Sequence, residues 1–115
     1  MPMPPPYSPI VRAGDWLLVS GQIGLAGGAM VTGGVEAEFR QAVANMTGLL
    51  VGEGSSLAAV CKTTVFLRHM RDYPIVNAAY AELFAEPYPA RSAFAVSELP
   101  FVALVEIEAW AYVGS

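Results

Sequence analysis

Arg91 stands in the stretch YPARSAF, between Ala90 and Ser92, at the mouth of a run that otherwise reads as an apolar strand. Only 14% of the residues are charged, so a guanidinium there needs a reason. A planar guanidinium holds a carboxylate through two parallel hydrogen bonds and fixes its orientation, which a lysine ammonium does not. Arg91 is thus a candidate receptor for the acid end of a small metabolite. The competing reading is a solvated charge on a strand rim. VEIEAWAY, near the C-terminus, poses the same question. Alternation puts Val105, Ile107, Ala109 and Ala111 on one face and Glu106, Glu108, Trp110 and Tyr112 on the other. The first face is expected to meet helices. The second, with two carboxylates beside two aromatics, reads as a face that something covers. Alternatively, its glutamates keep an edge strand soluble or pair between subunits with Lys62 or Arg68. By the same alternation Arg91 and Ala93 share a face. A turn at Pro100 makes their strand the expected neighbour of the last one, so that Arg91 and a glutamate converge.

Other chemistries find no support. VSGQIG lacks the glycine two residues before Ser20 that a nucleophile elbow requires, and Ser20 reads as a strand-end hydroxyl. GEG and GGAMVTGG match neither the phosphate-loop nor the dinucleotide fingerprint. The lone Cys61 cannot form an intrachain disulfide, and the lone His69 cannot complete a zinc set. On a continuous strand the two stand roughly 26 Å apart at about 3.3 Å per residue, which excludes a Cys-His dyad within one subunit. NMT at Asn45 matches a glycosylation sequon but falls inside an expected helix. A net charge of -4 argues against a nucleic-acid partner. No apolar run reaches the roughly 18 residues of a membrane span, and the first residues carry no secretory pattern. A cytoplasmic location away from membranes is the expectation.

The elements that must position these groups are legible from periodicity. The 115 residues suit one domain, 1–115. The prolines at 2, 4, 5, 6 and 9 predict a stiff arm carrying Tyr7. Strands follow over PIVRA and WLLVSGQI, with Gly21 ending or bulging the second, and a short strand over Ala29–Val31. From Glu36, apolar residues at Phe39, Ala42, Val43, Met46, Leu49 and Leu50 mark an amphipathic helix that ends near Gly52 or Gly54. AAVCKTTVFLRHM reads as a strand with Cys61, Thr63, Val65 and Leu67 on one face. A second helix starts at Asp72, carries Val76, Ala79, Tyr80, Leu83 and Phe84 on its apolar stripe, and stops before Pro87 and Pro89. RSAFAVSEL and ALVEIEAWAYV complete an α+β order with helices on one sheet face. Hydrophobic content of 55% in so short a chain suggests apolar surface covered between subunits.

PYS, VSGQIG, CKTTVFLRHMRDYPIVNAAY, YPARSAFAV and LVEIEAWA together, in order and over nearly the whole chain, resemble the RidA/YjgF family. The resemblance implies a chorismate-mutase-like α+β fold, a mixed sheet on two helices, in a homotrimer whose sheets close into a central barrel with ligand clefts between adjacent subunits. It implies hydrolysis of reactive enamines and imines, of the 2-aminoacrylate and 2-iminobutanoate type, to 2-keto acids and ammonia. It casts Arg91 as the carboxylate grip and Glu106 as the residue that positions or deprotonates water. It places Tyr7 over the ligand, Ser20 and Gly21 in the pocket wall, and Asn77 as a polar contact. No metal or organic cofactor is expected. Ala93 departs from the cysteine of many members; a contact through the backbone carbonyl survives that change, whereas one through a thiol does not. LPFVAL replaces the family's common lysine-aspartate turn, and the loop after SGQIG departs from its aspartate-proline and threonine-glycine wording. Two alternatives remain: a non-catalytic trimer that binds small 2-keto acids, and the endoribonuclease activity attached to some relatives, which the acidic balance and the single histidine disfavour.

Overall fold

Hydrophobic alternation and two amphipathic helices assemble into one layer of sheet under one layer of helix in a computed structural model that describes residues 3–114. Pro2 of the arm lies outside the described residues. The strands are β1 (Ile10–Ala13), β2 (Trp16–Gln22), the small pair β3 (Leu25–Ala26) and β4 (Ala29–Met30), β5 (Val60–Leu67), β6 (Ala90–Ala95) and β7 (Val105–Tyr112). The helices are α1 (Gly34–Gly52) and α2 (Tyr73–Leu83). The main sheet runs β1-β2-β7-β5-β6, antiparallel except where β6 lies parallel to β5. β3 and β4 form a separate two-stranded sheet.

The core lies between helices and sheet. Phe39, Ala42, Val43, Met46 and Leu50 of α1 and Val76, Ala79 and Tyr80 of α2 bury against Leu17, Val65, Leu67, Val105, Ile107, Ala109 and Ala111. Thr63 is the fully buried polar residue of β5, and its hydroxyl meets Tyr80 Oη at 2.7 Å. α1 stops where expected for a local reason. Gly54, at φ 79°, adopts the left-handed conformation that a glycine enters freely. Its N–H donates to the Val51 carbonyl and that of Ser55 to Leu50, the paired bonds of a Schellman terminus. Asp72 stands at the N-cap of α2 with Pro74 in the first turn, but its side chain makes no capping bond.

Two bulges reset side-chain directions. β2 slips by one residue against β7 between Val19 and Gln22, around Gly21, as the glycine suggested. β5 slips against β7 between Val60 and Lys62. That second bulge corrects the reading of Cys61: strict alternation placed it on the buried face, but as the extra residue it is exposed. β5 also ends at Leu67, leaving His69 outside the strand.

A further correction concerns the strand that carries Arg91. β6 does not neighbour β7, because β5 lies between them. The connection through α2 returns the chain parallel to β5, on its outer edge, and the chain then crosses over β5 to enter the sheet centre as β7.

Candidate functional site

The pairing register decides where the candidate residues point. Residues directly opposite on neighbouring strands share a face. Arg91 is opposite Thr63, which is opposite Ala109, so all three belong to the helix-covered side. Glu106 is opposite Phe66, which is opposite Phe94, on the bare side. Within one chain Arg91 and Glu106 therefore lie on opposite faces of the sheet and do not converge. The alternation of β7 is as expected: Val105, Ile107, Ala109 and Ala111 are buried, while Glu106 and Glu108 are half-buried and Trp110 and Tyr112 exposed.

Around Arg91 the structure gathers Asn77, Tyr80, Ala81, Tyr88 and Pro89 in an open cleft of about 370 Å³. The guanidinium sits 4.8 Å from the Tyr80 ring centre and 5.4 Å from that of Tyr73, and Nη2 donates to Tyr73 Oη at 2.8 Å. These contacts hold its plane. Among the described residues no carboxylate pairs with it, in contrast to Arg40, which bonds Glu36 at 3.0 Å and Glu82 at 2.7 Å. Burial raises the Tyr80 phenol above its ordinary value, although Thr63 and the Arg91 charge pull it down. Ala93 lies on the same face as Arg91, opposite Val65, packed against the core.

Glu106 lies in a different cleft, of about 230 Å³, with Tyr7, Gly21, Asn45 and Phe101 on its walls. Gly21 is essential to that geometry: a Cβ there would stand 2.8 Å from the Glu106 carboxyl carbon. Burial, and then the neighbouring Glu108 charge, raise the Glu106 carboxyl above its usual 4.5. Ser20 acts one step back from the cleft. Its Oγ donates to the Ser8 carbonyl at 2.6 Å and its N–H to Pro9 at 2.9 Å, which fastens the arm that carries Tyr7. Lys62 donates to Ser92 Oγ at 3.1 Å, and among the described residues neither Glu106 nor Glu108 is ion-paired within the chain.

The seven sequence candidates thus divide. Arg91, Asn77 and Ala93 lie on one side of the sheet; Glu106, Tyr7, Gly21 and Ser20 serve the other. Sequence reading missed four contributors. Tyr73 and Tyr80 brace Arg91, a relation visible only once α2 is laid over β6. Asn45 donates to the carbonyls of Ile23 and Leu25 at 3.1 and 2.9 Å and so holds the loop beside Glu106; a carboxamide in mid-helix, set aside as a sequon, was its signal. Phe101 was noticed only as a departure in a turn. Cys61 and His69 join neither cleft.

A mixed five-stranded sheet, helix-covered on one face and bare on the other, with a braced cation and a half-buried carboxylate in separate clefts, defines a small α+β protein. Residues 2–113 match the family described as Endoribonuclease L-PSP, and the chain belongs to this family, RidA/YjgF. It is similar to a RutC family protein of Pyrococcus horikoshii, 43% identical over 109 residues that span 93% of this chain and 86% of the relative. It is also similar to human 2-iminobutanoate/2-iminopropanoate deaminase, 40% identical over 111 residues that span 95% and 81% of the two chains. Among solved structures, RidA from the Antarctic bacterium Psychrobacter matches with a TM-score of 0.91 at 32% identity, covering 95% of this chain and 89% of that one. In agreement with the sheet and helices expected, the fold is that of these structures. No helix of the described residues is long and apolar enough to cross a membrane.

Proposed function

We propose that the protein hydrolyses small reactive enamines and imines to 2-keto acids and ammonia, at sites built where two copies of the chain meet. The observation that carries this reading is the division of Arg91 and Glu106 between opposite faces of one sheet. Each cleft holds half of what the reaction needs. Arg91, braced and without a carboxylate of its own, takes the acid end of the ligand. Glu106, in its own cleft on the adjacent copy, meets the imine carbon.

The chemistry asks little more. The imine carbon is electrophilic, and Glu106 accepts a proton from water as oxygen attacks, giving a carbinolamine. From the carbinolamine of the protonated imine that proton then passes to nitrogen, and as the C–N bond breaks and ammonia leaves, Glu106 takes the hydroxyl proton and the carbonyl forms. A carboxyl with a raised proton affinity suits both transfers. An enamine enters after protonation at its β-carbon. Fixing the carboxylate supplies orientation. No cofactor is needed for this sequence, and Ala93 retains the backbone carbonyl through which its position could touch the ligand.

The bare face supports assembly. Trp16 stacks edge-on with Trp110 and Tyr112 at 6.0 and 5.2 Å, Phe66 meets Phe94 at 5.4 Å, and Phe94, Trp110 and Tyr112 are nearly half exposed. An aromatic patch of this kind is expected to be covered, and we assign its cover to further copies, in a trimer. Light scattering should give three times the chain mass of 12.2 kDa; a monomer at micromolar concentration would rule the shared site out. Activity is tested by release of 2-keto acid from imine generated in situ. Acceleration by the parent and its loss in Arg91→Ala support the proposal, whereas calorimetric binding of 2-oxobutanoate without turnover would make the protein a binder. RNA cleavage draws no support from a net charge of -4 and a single histidine that lines neither cleft.

A further inference from the structure

Two consecutive non-glycine residues, Phe101 and Val102, occupy the left-handed region at φ 58° and 55°. Asparagine and glycine enter that region readily; a bulky side chain and above all a β-branched valine do not. Core packing does not explain them, since Phe101 is 65% and Val102 91% exposed. The turn is nevertheless fixed at its base. Ala103 N–H donates to the Pro100 carbonyl at 3.0 Å, and Leu104 N–H donates to the buried Glu38 carboxylate at 2.8 Å. A strained turn anchored to a buried carboxylate holds an aromatic ring rigidly at the mouth of the Glu106 cleft.

Two of the polar side chains of that cleft are already committed. The Asn45 amide nitrogen is committed to the Ile23 and Leu25 carbonyls, and its oxygen accepts from Gln41. Gln22 donates to the Ser20 carbonyl. Besides Glu106, Tyr7 offers a hydroxyl with no hydrogen-bond partner among the described residues, and Pro9, Ile23, Leu25, Pro100 and Phe101 form the apolar part of the wall. The 230 Å³ of space equals about eight water molecules at roughly 30 Å³ each, more than a one-carbon or two-carbon side chain fills.

Resting on the deaminase reading above, we propose that Phe101 sets the specificity of the site, so that the preferred substrates are imines bearing an apolar side chain of about four carbons or more rather than those with one or two carbons or a polar chain. Each further buried methylene is worth about fourfold in affinity. A leucine-derived imine, three carbons longer than that of alanine, gains at least tenfold even when much of the chain stays partly wet.

The test pairs turnover with binding. Imines of alanine and leucine are generated in situ by an L-amino-acid oxidase and their kcat/KM values compared; the affinities of pyruvate and 4-methyl-2-oxopentanoate are measured by calorimetry. For the parent, both ratios should favour the longer chain about tenfold. Phe101→Asn, whose residue accepts the left-handed backbone, should cut both ratios to threefold or less while melting no lower than the parent. Phe101→Leu should fall between. A ratio in Phe101→Asn within twofold of the parent's, a parental preference for the shorter chain, or no binding of either acid overturns the proposal. The two readings fail separately: a keto-acid preference that depends on Phe101 without turnover of either imine removes the deaminase and sustains the apolar cleft. Turnover with no such dependence does the reverse.

Discussion

Mixing two dead variants should recover activity. Arg91→Ala removes the proposed carboxylate grip and Glu106→Gln the proposed proton acceptor. The two residues lie on opposite faces of the sheet, so in the proposed function a complete site takes Arg91 from one copy and Glu106 from the next. Loss of two charge-assisted hydrogen bonds, at about 1.5–3 kcal/mol each, lowers kcat/KM of the first variant by roughly 10²- to 10⁴-fold. Loss of general base catalysis costs the second about 10²- to 10⁴-fold. When equal amounts are unfolded together and refolded, a site is intact only where a chain with Arg91 precedes one with Glu106. Each condition holds with even odds, so about one quarter of parental activity returns in any closed ring. Isolating the mixed rings with two affinity tags sharpens the number. A mixed trimer has one good site of three, about one third of parental activity, whereas a mixed dimer has about one half. Keto-acid release is the assay, with the separately refolded variants as background. If the mixture gives no more than the sum of its components, the two residues do not act across an interface and the proposed site is wrong.

Four further outcomes follow from single contacts. Gly21→Ala places a Cβ 2.8 Å from the Glu106 carboxyl carbon; displacing that carboxylate by about 1 Å should lower kcat on the order of 100-fold, with the melting temperature little changed, and parental kcat would refute the close approach. Glu108→Gln removes the like charge that, after burial, raises Glu106, so the acid limb of kcat/KM should move to lower pH; an unmoved limb would mean that the two carboxylates do not interact. The same raised value makes the folded chain bind the Glu106 proton more tightly than the unfolded chain, so its destabilising effect is absent in acid and grows as pH rises through the folded value. Glu106→Gln should therefore melt above the parent at pH 7 and level with it at pH 4. Thr63→Val strands the Tyr80 hydroxyl that it meets at 2.7 Å, which should cost about 1–3 kcal/mol in urea unfolding; no loss would mean that the Tyr80 hydroxyl finds another partner.

The parts of this fold that depend on local periodicity were readable, and the parts that depend on strand order were not. The alternation of β7, the stripe of α1, its glycine terminus and the bulge at Gly21 each follow from residues within a few positions of one another. The partner of β6 does not, because it is set by how the chain between β5 and β6 crosses the sheet. The turn at Pro100 looked like a hairpin, yet the strand it leads to enters two positions away. That error mattered for function. Had β6 and β7 been neighbours, the facing side chains of Arg91 and Glu106 could have closed a site within one chain. With β5 between them, and with an odd offset between the row of Thr63 and the row of Phe66, the same two residues are forced apart. A one-residue change of register on either side of β5 would bring both onto one face, but it would also turn Ile107 and Ala109 out of the core or Arg91 off its tyrosine braces. The packing that holds the sheet to its helices therefore also keeps Arg91 and Glu106 apart within one chain, and in the proposed function a second copy of the chain supplies the missing half.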